Sequence, residues 1–241
     1  MDNLEKLLAG IKKSFFDFYE KDKKISGLYK RVRDGTATYD QAHEFAVCVG
    51  NCLAKAYKSN LELSMMDYET ALSLLNDPLK RNHDIISKFC YEVQTMLNNR
   101  YGLSIEALLP ELNKDRIAGL ATAVSKADTA EMAIGFFQEQ VINFSQSVVD
   151  DAVEKNASFA ADLGMKPQII RTYEGPHDER GKMVDCEWCK DLEGAYDYED
   201  VKASGSDVYK RHEGCRCTVS YVPGSKGSSQ MRRKGNAFVR F

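Results

Sequence analysis

The chain has 241 residues, of which 43% are hydrophobic and 29% charged, with a formal net charge of -3. That composition belongs to an ordinary folded protein with room for a substantial core in one or two domains. It excludes a surface built to coat nucleic acid throughout, although a local basic patch is compatible with it.

The N-terminal two thirds read as helix. Leu4, Leu7, Leu8, Ile11, Phe15 and Phe18 recur at helical spacing until Asp34-Gly35 breaks the pattern. Thr38 and Gln41 have the spacing of a capping box, and Ala42, Phe45, Ala46, Val49, Leu53 and Ala56 form the stripe of the helix that follows, which is expected to run, with a kink, toward Leu75. Asp77-Pro78 reads as a cap followed by proline at the first helical position. Ile85, Phe89, Val93, Met96 and Leu97 make the next stripe, stopped near Tyr101-Gly102. Ile117, Leu120 and Val124 suggest a short helix, and Ile134, Phe137, Val141, Phe144 and Val148 a long one that ends at Gly164 and Pro167. Striped helices of this length must bury their apolar faces on one another, so residues 1–164 are expected to form an elongated helical domain.

Beyond Pro167 the texture changes. Gln168–Tyr173 and Thr218–Val222 alternate like strands, and five metal-ligating side chains lie between them. Cys186 and Cys189 form a C-x2-C pair, and His212, Cys215 and Cys217 form an H-x2-C-x-C group. Zinc takes four thiolate or imidazole ligands in a tetrahedron, and two such turns supply its two sides. Five candidates for four places leave one as a neighbour. Cys186, Cys189 and Cys215 are favoured, with the fourth place open between His212 and Cys217, because in a straight strand Cys215 and Cys217 would stand about 7 Å apart. Lys190, Lys210, Arg211 and Arg216 are the cations expected to offset the thiolate charge. The expectation is a mainly α protein with a small zinc-stapled, β-containing module at 165–223, whose fold depends on a closed structural Zn2+ site. Chelation is then expected to unfold this module while leaving the helical domain largely intact.

From residue 224 the chain is Gly/Ser-rich and then basic. Lys226, Arg232, Arg233, Lys234 and Arg240 make a flexible tail that suits DNA, an acidic protein surface, or simply solubility. Cys48, Cys52 and Cys90 read as core thiols. His43 and His83 read as surface or structural residues, and His177, among Glu174, Asp178 and Glu179, as a hairpin tip. Seven cysteines without a secretory leader argue against a disulfide framework and for synthesis in a reducing cytoplasm. No apolar run reaches the roughly 18 residues that a membrane span needs.

Val141–Asp151 and Pro167–Arg171, followed by Cys186-x-Trp188-Cys189, Gly194–Tyr198, Val208–His212 and Cys215–Val219, resemble the Mu F-like and SPP1 gp7-like head morphogenesis proteins of tailed phages and prophages. The resemblance covers roughly residues 78–223 and is most specific at the Cys-rich end. The segment Glu174–Lys182 is longer than the turn expected there. The resemblance implies a non-enzymatic, low-copy virion protein, made in the host cytoplasm and carried in the capsid interior or near the portal. It would contact portal or major capsid protein, touch packaged double-stranded DNA through its tail, and assist genome packaging, retention or ejection. A zinc-containing DNA-binding protein or nuclease is the alternative, with His177 and His212 as the histidines it would need.

Overall fold

The computed structural model describes residues 2–62, 64–175, 183–212 and 214–224. They form a mainly helical body of α1 (Asp2–Lys21), α2 (Lys23–Arg33), α3 (Tyr39–Asn60), α4 (Tyr68–Arg100), α5 (Lys114–Ser125) and α6 (Ala130–Asp162). The strands β1 (Gln168–Thr172), β2 (Gly194–Asp197) and β3 (Thr218–Val222) follow, with two short helices, α7 (Glu187–Asp191) and α8 (Tyr198–Ser204), between them.

Local chemistry sets most of the boundaries. Asp22 caps α2 by accepting hydrogen bonds from the backbone N–H groups of Lys24 and Ile25, which divides the first apolar stripe into two helices. At the start of α3 the Thr38 N–H donates to Gln41 Oε1 at 2.9 Å, as the capping box requires. α3 stops at Asn60, well short of Leu75. The next helix is capped by Asp67, whose carboxylate accepts from the Thr70 N–H, and it runs from Tyr68 through Pro78 to Arg100.

Pro78 is therefore inside α4, where the sequence pattern had placed a helix start. A proline there leaves the carbonyl of residue i-4 without its N–H donor. In this chain that carbonyl belongs to Leu74, and the hydroxyl of Tyr57 on α3 donates to it at 2.8 Å. A neighbouring helix supplies the missing donor, so α4 continues.

α3 and α6 lie at the centre. Phe45, Val49, Leu53 and Ala56 of α3 and Phe137, Val141, Phe144 and Val148 of α6 are all buried, and every residue of α6 from Val141 to Asp150 is buried. The two helices meet closely at Gly50, where an added Cβ would lie 2.8 Å from Ser145 Oγ and 3.0 Å from Ile142 Cα. Gly164, at φ +80°, closes the end of α6.

The sheet has the order β2-β1-β3, with β1 antiparallel to both neighbours. Its inner face, Ile169 and Arg171 of β1 with Val219 and Tyr221 of β3, is buried. The apolar members of that face join the same continuous core as the helices. Tyr221 Oη accepts from Gln94 Nε2 of α4 at 2.6 Å, and Tyr39 of α3 donates to Gln94 Oε1 at 2.6 Å, so a buried polar bridge ties sheet to helices.

Overpacking typically costs about 1–3 kcal/mol, against a helix-propensity gain of up to ~1 kcal/mol for glycine to alanine. Gly50→Ala should therefore lower the melting temperature, because the Ile142 backbone cannot yield. Gly119→Ala in α5, where an added Cβ meets nothing within 4 Å, should raise it. Calorimetry of both variants checks the pair.

Candidate metal centre

The five candidate ligands converge. The sulfur of Cys189 lies 2.9 Å from His212 Nε2 and 3.8 Å from the sulfur of Cys215, and Cys186 Sγ lies 3.4 Å from His212 Nε2. Cys186, Cys189 and His212 form one triad and Cys189, Cys215 and Cys217 a second, with ligand atoms within 4.8 Å of one another in each. Cys189 belongs to both. In a tetrahedron with metal–sulfur bonds of about 2.3 Å, ligand atoms sit roughly 3.8 Å apart, so these groups can hold a metal ion.

Local geometry explains the convergence. The C-x2-C pair straddles the start of α7, with Cys186 as the residue preceding the helix and Cys189 fully buried inside it. Cys215 and Cys217 do not belong to a straight strand. Gly214 turns the backbone at φ +71° and β3 begins only at Thr218, so both sulfurs reach the same side as Cys189. Trp188 packs edge-on against the His212 ring, with centroids 5.5 Å apart.

Within this thiol group, hydrogen bonding from Cys215 is the main cause that pulls the Cys217 thiol down to about 4, with the backbone of Glu174, the charge of Arg171 and Cys189 helping. Burial, then the charge of Cys217, pushes Cys189 up to about 12.

α6 holds the loop in place through three side chains on one face, Asn143, Gln146 and Asp150. Asn143 Nδ2 donates to the His212 carbonyl at 3.0 Å, and Gln146 donates to the Cys215 carbonyl at 2.8 Å while accepting from Arg211. Asp150 takes a two-pronged hydrogen bond from Arg211, Nε to Oδ2 at 2.5 Å and Nη2 to Oδ1 at 2.8 Å, with both side chains 1% exposed. The third prong, Arg211 Nη1, donates to the Cys217 carbonyl at 2.7 Å. Burial lowers the Arg211 pKa, but the charge and hydrogen bonds of Asp150 outweigh it and the net shift is upward.

His43 of α3 completes the arrangement. Arg211 Nη2 stands 3.3 Å from His43 Nδ1, and a guanidinium only donates, so Nδ1 accepts and the proton sits on Nε2. Nε2 lies 2.9 Å from both the carbonyl and the N–H of Val219, on the edge of β3 that no strand covers, and in this tautomer it donates to the carbonyl.

Of the other cations singled out in the sequence, two lie away from the sulfurs and one remains beside them. Lys190 pairs with Asp185 and Glu187, and Lys210 with Asp207, all at the surface. Arg216 donates to the carbonyl of Cys215. The cation missed by sequence reasoning is Arg171 of β1, whose Nη2 lies 3.7 Å from Cys215 Sγ and whose guanidinium carbon is 5.7 Å from the centre of the Trp188 ring. Its signal was an arginine at an inward position of an alternating strand. Cys48, Cys52 and Cys90 are buried core thiols, as expected, and both His43 and His83 are buried. His177 and the tail residues Lys226, Arg232, Arg233, Lys234 and Arg240 lie outside the described residues.

Compared with protein-family models, curated proteins and solved structures, the chain finds no match.

Burial, followed by the charge of Arg211, lowers the His43 pKa to about 4, from the 6.5 of a free imidazole. Its contribution to stability is full above the unfolded value and is lost as pH falls through the folded one. Between pH 6.5 and 4 the wild type should lose more stability than His43→Gln, measured by urea denaturation at each pH. At pH 7 the variant should already be about 1–3 kcal/mol weaker from an unpaired Val219 backbone. Parallel pH curves for the two proteins would remove this role of His43.

Proposed function

We propose that this chain is a minor head protein of a tailed phage or prophage, built around one structural zinc ion and carried in the head near the portal, where it assists genome packaging, retention or ejection. The observation that carries this reading is that the segments of the resemblance form one contact set. Asn143, Gln146 and Asp150 come from its helical run, Arg171 from its strand, and Cys186, Cys189, His212, Cys215 and Cys217 from its Cys-rich end, and these residues touch one another. A signature whose separate pieces meet at one buried centre is what a shared architecture would require.

Zinc is the metal that fits best. The donors are thiols and an imidazole, three of the sulfurs are fully buried, and the spacing of the triads suits a tetrahedron. A closed site of this kind is structural, and it would fasten the Cys/His loop to α6. The helical body would dock on portal or major capsid protein, and the basic tail would contact packaged double-stranded DNA. Among the described residues no helix is long and apolar enough to cross a membrane.

Quantitative mass spectrometry of purified particles of the encoding phage, before and after triggered DNA release, checks the proposal. A few copies per portal in full particles is the expected result. Loss on release would indicate a part in ejection, and retention a fixed structural part. Absence from washed particles would contradict the reading and favour the DNA-acting alternative.

A further inference from the structure

Arg171 on the central strand β1 is fully buried, at 1% exposure. Burying a guanidinium without a counter-charge costs several kcal/mol, so such groups are found paired. The buried carboxylate of Asp150 is engaged by Arg211. Among the described residues no carboxylate forms an ion pair with Arg171. Its Nη1 donates to the carbonyls of Val208 and Lys210, its Nη2 points at Cys215 Sγ, and its Nε has no partner. Carbonyl dipoles and the face of Trp188 do not cancel a full charge, so the neutralising charge has to come from the sulfurs.

The charge count then discriminates between ligand sets. A divalent ion with four thiolates carries two net negative charges, whereas three thiolates and a neutral imidazole leave one. Arg211 Nη1 also lies 3.9 Å from Cys215 Sγ, but Arg211 is balanced by Asp150, so Arg171 is the fully buried cation at the centre that has no carboxylate of its own. We infer that Arg171 is the internal counter-cation of the metal centre, and that the centre binds a divalent ion through Cys186, Cys189, His212 and one of Cys215 and Cys217, with the remaining thiol outside the coordination sphere. This rests on the metal-binding reading of the preceding section. It assigns Arg171 a positioning and charge-balancing role.

The test uses the full chain loaded with Co2+, whose sulfur-to-cobalt charge-transfer bands report thiolate number and environment. Removing a group that supports metal ligands typically weakens binding about 10- to 100-fold. Arg171→Met should show a loss of that size and a charge-transfer band moved to lower energy, because sulfur lone pairs without a neighbouring cation give up electrons more easily. Arg171→Lys should restore most of the affinity and the band position. Equal losses in Met and Lys variants with an unmoved band would mean that Arg171 only fills space, and would overturn the inference.

Should Arg171→Met fail to fold, the wild-type background still decides. Only one of Cys215→Ser and Cys217→Ser should lose about a third of the charge-transfer intensity, and His212→Ala should alter the cobalt ligand-field bands. Loss of intensity in both serine variants with no effect of His212→Ala would establish four thiolates and contradict the charge count. Failure of the wild-type chain to bind either Co2+ or Zn2+ is a different result, one that removes the metal centre itself.

Discussion

The buried ion pair between Arg211 and Asp150 is the constraint on which the rest of the arrangement depends. A single guanidinium grips the middle of α6 with two prongs, the Cys217 carbonyl with a third, and the ring of His43 on α3 alongside. Such a pair gains little net stability over well-packed apolar groups, but removing one partner strands a buried charge at a cost of about 3–5 kcal/mol. Its contribution is therefore specificity. It fixes where the Cys/His loop sits on the helical body and so brings Cys215 and Cys217 into reach of Cys189.

α6 shows why the body and the loop belong together. A helix buried on every side through ten successive positions would be expected to be apolar all round. Here Asn143, Gln146 and Asp150 are polar and spaced along one face because that face meets backbone carbonyls of the loop and the Arg211 fork. On the other side, Gly50 lets α3 approach closely enough for His43 to cover the edge of β3. The sheet is thus packed into the core by apolar residues such as Ile169, Val219 and Tyr221 and oriented by polar ones.

Much of this was legible in the sequence, for reasons that can be named. Amphipathic stripes, the Thr38–Gln41 capping box and the Gly164 stop are local signals, and they placed the helices and their core faces. The five residues that come together as the candidate metal centre were legible because soft ligands in two short turns have few other uses. What depended on partners distant in sequence was not. Pro78 looked like a helix start because its rescue comes from Tyr57, a residue of another helix. β2 is only four residues long and carries little periodicity of its own. His43 and Arg171 looked ordinary because their significance lies in Val219, Arg211 and Cys215, which fold to meet them.

Whether α6 and the Cys/His loop form one cooperative unit is tested most directly by amide hydrogen exchange on the full chain, loaded with Zn2+ and after chelation. Faster exchange is predicted both in residues 183–222 and in the 141–150 stretch of α6, with α1 retaining its protection. An increase confined to the Cys/His loop, with α6 as protected as before, would show that the loop is merely attached to an independent helical body and would contradict the account.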